Sequence, residues 1–88
     1  MARKSIEQVY VNKAIAQLKE HLIKILDRKG TKTFASRHEV MGLLLEEFNE
    51  LERANHKDDD VEFKYELLDL AATAIFAIAC VEQETMDW

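Results

Sequence analysis

Glu66-Leu67-Leu68-Asp69-Leu70-Ala71-Ala72-Thr73-Ala74-Ile75-Phe76-Ala77-Ile78-Ala79-Cys80-Val81 is the stretch that decides the fold. Its apolar part, Leu67 to Val81, is shorter than the ~20 residues a membrane-spanning helix needs, and it contains Asp69. It reads as a buried helix of a globular domain. Nearly every direction around that helix is apolar, yet Glu66, Asp69 and Thr73 share one narrow polar stripe. Burying unpaired carboxylates costs several kcal/mol each, and no lysine or arginine lies within the stretch to offset it.

Outward from this helix, the 88 residues contain no proline and only Gly30 and Gly42, while 48% are hydrophobic. The punctuation that sheets, hairpins and long loops require is missing, so helices are the default. The helix around Asp69 is predicted from about Val61 to Glu84, with Asp58-Asp59-Asp60 as turn and cap ahead of it. A second helix, about Arg37 to His56, opens on a capping box in which Ser36 is followed three residues later by Glu39. A first helix, roughly Ile6 to Arg28, is predicted from Ile6, Val9, Tyr10, Ile15, Leu18, Leu22, Ile25 and Leu26 at helical spacing. Ser5 and Gln8 form its capping box and Gly30 its stop. The tail, Thr85 to Trp88, is too short to classify, and there is no repeat, low-complexity segment or linker. The chain reads as one all-α domain over residues 1–88, with three main helices.

Composition narrows the function classes. A formal charge of −5 and the lack of a dense Lys/Arg stripe argue against nucleic-acid binding, which needs a basic face to release counterions. Cys80 is alone, so no disulfide forms within the chain, and a reducing, cytoplasmic setting is expected. The segment after Arg3 and Lys4 is amphipathic and broken by charge, unlike a signal peptide. No membrane association is expected.

The predicted second helix repeats the anomaly of the third. At ~100° per residue, Val40, Leu44, Leu51 and Ala54 form its buried stripe, and Glu47 projects from within that stripe. Glu50 lies at its edge, with its Cβ about 5–6 Å from that of Glu47. Two like charges so placed repel unless a cation joins them. Solvated helix faces explain Glu39, Glu52, Glu62 and Glu82. For Glu47, Glu50, Glu66 and Asp69, periodicity leaves a solvated face and a divalent-metal site both open.

The order of the residues adds weight. Glu46-Glu47-Phe48-Asn49-Glu50, a short connection, then Glu66-Leu67-Leu68-Asp69 resembles the EExxE…ExxD signature of the all-α nucleoside triphosphate pyrophosphohydrolases, most of all the MazG-like proteins. The resemblance covers about half the chain, from His38 to roughly Val81. It implies Mg²⁺, for which Mn²⁺ often substitutes, held by Glu47, Glu50, Glu66 and Asp69. The implied reaction converts a (deoxy)nucleoside triphosphate to its monophosphate and pyrophosphate, in many relatives as house-cleaning of non-standard nucleotides. Glu46 and Glu47 are the implied catalytic carboxylates, Glu46 holding a second metal or orienting the attacking water.

Two departures from that pattern stand out. Members often carry basic or amide side chains after the ExxD pair, whereas this sequence has no Lys or Arg after Lys64. Phosphate contacts then fall to Lys32, Arg37, His38, Arg53 or Lys57, placed near the second helix. Three helices also make an incomplete four-helix core, so the face rich in Ala71, Ala72, Ala74, Ala77 and Ala79 is expected to pack on another subunit in a homodimer or dimer of dimers. His21, His38 and His56 offer ligand atoms, but none completes a Glu-x-x-His pairing, so they read as surface or capping residues. Phe34, Phe48 and Trp88 offer faces on which a nucleobase could stack, but they read as core or interface packing. Cys80 reads as a small core residue. The competing functional readings are a phosphoribosyl-ATP pyrophosphohydrolase of the same superfamily and a non-catalytic helical module that binds a metal or a protein.

Overall fold

A computed structural model describes residues 2–86; Trp88 lies outside them. The chain forms α1 (Gln8–Lys29), α2 (Arg37–His56) and α3 (Asp60–Gln83), with no strand among the described residues.

The starts of α2 and α3 are written in local hydrogen bonds. At α2 the Ser36 hydroxyl accepts the Glu39 backbone N–H at 3.2 Å, and the Glu39 carboxylate accepts the Ala35 N–H at 2.9 Å. The box therefore closes one residue before the cap itself. At α3, Asp59 is the residue of the aspartate triplet that caps, accepting from Val61 and Glu62 N–H at 3.0 and 3.3 Å. Asp58 makes the reversal at φ 54°, in the left-handed region that Asp tolerates.

The start of α1 differs from the predicted one. Glu7, not Ser5, is the N-cap residue, and no side chain caps there; Gln8 instead donates to Asn12 at 2.9 Å. Ile6, Val9 and Tyr10 are well exposed, so an extra turn at this end would gain no burial to offset its ordering entropy. The far end matches: Gly30 sits at φ 89° and its N–H donates to the Leu26 carbonyl at 2.9 Å.

Helix α3 is the centre of the bundle. The three-residue connection Lys57-Asp58-Asp59 folds α2 back along it as an antiparallel hairpin. Helix α1 also packs on α3, but no Cα of α1 comes within 8 Å of α2. The buried apolar residues are small, Val40, Ala54, Ala72, Ala77 and Cys80, joined by the capping Ser36, with no large side chain fully buried among the described residues. The radius of gyration, 14.9 Å, exceeds the ~12 Å typical of a compact chain of this length.

The stretch 67–81 is consequently not buried all round. Ala72, Ala77 and Cys80 face inward, while Leu67, Ile75, Ile78 and Val81 are exposed on the other side. The five alanines do not form one outward face either, since Ala72 and Ala77 are already covered within the chain. Among the described residues no helix is long and apolar enough to cross a membrane.

Candidate metal centre

The hairpin brings the two acidic pairs together. Glu47 and Glu50, one turn apart on α2, face Glu66 and Asp69 on α3, and one oxygen from each lies within 4.8 Å of those of the other three. Glu47, Glu66 and Asp69 are half-buried and Glu50 is exposed. Glu47 Oε2 and Glu66 Oε2 are cut off from solvent and have no hydrogen-bond partner. Both side chains are held above the ordinary glutamate value of 4.5. For Glu47 the causes are burial, then the charges of Asp69 and Glu50, with Lys29 working against them. For Glu66 they are burial, then the charges of Asp69, Glu50 and Glu47, and last a side-chain hydrogen bond with Glu50.

These residues fit a hard divalent cation. Oxygens on opposite sides of an octahedral Mg²⁺ stand roughly 4 Å apart, at bond lengths of ~2.0–2.1 Å. A spread of 4.8 Å needs only side-chain adjustment to reach that. The donor set is all carboxylate oxygen, which suits Mg²⁺ or Mn²⁺ better than softer ions. The two stranded oxygens are the groups a cation would satisfy.

Helix α1 adds a residue that the sequence reading placed on the surface. His21 is only 11% exposed at its side chain, and its Nε2 lies 2.6 Å from Asp69 Oδ1. In the tautomer with its proton on Nε2 the ring donates to Asp69 Oδ1, and this contact orients the carboxylate. The ring also meets Tyr65 edge-on at 5.1 Å. One signal was available in the sequence: His21 falls on the same face of α1 as Leu18, Leu22 and Ile25. Thr73, on the polar stripe with Asp69, instead donates to the Asp69 backbone carbonyl at 3.0 Å.

Glu46 is exposed and outside the group of four, though its charge adds to the upward push on Glu47. Of the basic candidates, Lys32 lines a cavity of about 200 Å³ whose wall includes Glu47. Lys29, not singled out from sequence, lines it too. Arg37, His38 and Arg53 are exposed on α2 and do not line this cavity; Lys57 pairs with Glu62 at 2.9 Å. Compared with known protein families, curated proteins and solved structures, the chain matches none.

Proposed function

We propose that the protein is a Mg²⁺-dependent nucleoside triphosphate pyrophosphohydrolase of MazG-like type. One observation carries the reading: the two acidic pairs of the motif meet across the α2–α3 hairpin, with two buried carboxylate oxygens lacking any partner. Glu47, Glu50, Glu66 and Asp69 hold the cation, Mg²⁺ or Mn²⁺, whose charge would counter the negative charge that develops on the phosphates in the transition state. Glu46 and Glu47 orient a water for in-line attack between the α and β phosphates. Water adds across that anhydride bond, giving a nucleoside monophosphate and pyrophosphate. His21 keeps Asp69 aimed at the cluster.

The working unit in this reading is a homodimer or a dimer of dimers. Its support is the exposed apolar side of α3, with Leu67, Ile75, Ile78 and Val81, and that of α2, with Met41, Leu45 and Phe48. The test is pyrophosphate release from a panel of ordinary and modified (deoxy)nucleoside triphosphates with Mg²⁺, for the native protein and Glu47→Ala. Release lost in the variant supports the reading; orthophosphate as product contradicts the proposed bond cleavage. A non-catalytic binding module is the second reading, favoured by the absence of Lys and Arg after Lys64. No turnover and no stabilisation by Mg²⁺ or Mn²⁺ would select it.

A further inference from the structure

The cavity beside Glu47 lies where α1 and α2 fail to meet over α3. Its inner wall is apolar, with Leu22, Leu43 and the edge-to-face pair Phe34 and Phe76 at 5.1 Å. Its charged lining residues are Glu47, Lys29 and Lys32, and the Lys29 charge acts on Glu47. Lys29 ends α1, and the left-handed turn at Gly30 brings the chain round so that Lys32 and Phe34 line the same space. The volume, about 200 Å³, falls below the ~300–1,000 Å³ of sites that enclose a whole small molecule. It suits one flat ring of a larger ligand, with the remainder reaching the charged residues of the lining.

We infer that this cleft takes the ring end of a ring-bearing polyphosphate ester, and that Lys29 and Lys32 are the cations that meet its phosphates. The inference rests on the pyrophosphohydrolase reading for the identity of the ester. A polyphosphate beside four carboxylates needs positive charge on its other flank, and these two lysines line the cavity that Glu47 also lines. The aromatic and aliphatic wall supplies stacking and contact area for the ring.

Calorimetric titration of the full chain with Mg²⁺ tests it, using an α,β-imido deoxynucleoside triphosphate and inorganic tripolyphosphate as probes. The native protein should bind the nucleotide analogue more tightly than tripolyphosphate. Lys29→Gln with Lys32→Gln should weaken both probes about tenfold or more and flatten the salt dependence. Mn²⁺ binding should survive and not weaken, because neither lysine is in the acidic group and losing the Lys29 charge beside Glu47 removes a competitor of the cation. Phe34→Leu should weaken the nucleotide analogue alone. Both lysines are exposed, so the double variant keeps its fold, which a helical melting curve verifies. Native affinity for both probes in the lysine variant, equal affinity of the native protein for the two probes, or no binding of either, overturns the inference. Probe binding without pyrophosphate release defeats the reaction and leaves the site; pyrophosphate release with an unchanged KM in the lysine variant does the reverse.

Discussion

At Glu47 and Glu66 the metal-free protein holds carboxylates that are easier to protonate than in an unfolded chain. The folded state therefore binds more protons than the unfolded state just above pH 4.5, and its stability falls as pH rises through that window to the raised values. Mg²⁺ binding requires the ionised forms, so metal affinity grows over the same interval. Thermal melts from pH 4 to 8 should show the metal-free midpoint dropping while the shift caused by Mg²⁺ increases. Glu66→Gln should flatten the first trend and abolish most of the second; a variant that keeps the full Mg²⁺ shift would remove Glu66 from the site. His21→Ala should cost about 1–2 kcal/mol of stability and weaken Mn²⁺ binding about 10–100-fold. The acidic pairs were legible in the sequence because helical phase put charge where burial was due. For His21 only its place on the apolar face of α1 was legible; its pairing with Asp69 was not, because the partner lies 48 residues away and only the docking of α1 joins them.

The helices differ in how much of each boundary is local. Ser36→Ala should cost about 1 kcal/mol, since it strands the Glu39 N–H at the start of α2. Ser5→Ala should leave the melting midpoint unchanged, because Ser5 precedes the N-cap of α1 and caps nothing. Chemical denaturation of the two variants side by side separates these outcomes. Gly30→Ala meets no atom within 4 Å of the new Cβ, so its cost is the backbone alone: φ 89° with ψ −176° is a region almost reserved for glycine, worth about 1–3 kcal/mol. Where a boundary depends on a side chain bonding a few residues away, as at Ser36 and Asp59, the sequence predicts it closely. Where it depends on whether a terminal turn finds something to pack on, as at Ile6 and Val9, local pattern misplaces it.

At the scale of the molecule, the described residues form three helices around a core of small side chains, with larger apolar groups such as Ile78 and Phe48 left outside. All-α architecture was evident from the absence of proline and the spacing of apolar residues. The division of α3 into covered and open sides was not, because a helix apolar all round gives no phase to read. If that open side closes on a second copy, the melting midpoint should rise with protein concentration, and Ile78→Glu should remove the dependence and reduce the mass seen by light scattering. A monomer with a concentration-independent midpoint would rule out this assembly.

Because α1 leans on α3 alone, it is held by one seam while the hairpin of α2 and α3 is tied by both packing and a three-residue link. The first segment to open under native conditions should then be α1, taking His21 and Lys29 away from Asp69 and Glu47 together. Amide hydrogens of α1 should exchange with solvent faster than those of α3, and a ligand that engages the carboxylates and the lysines at once should slow them most. Occupancy of the site would thus be recorded as protection of a helix that supplies none of the four carboxylates.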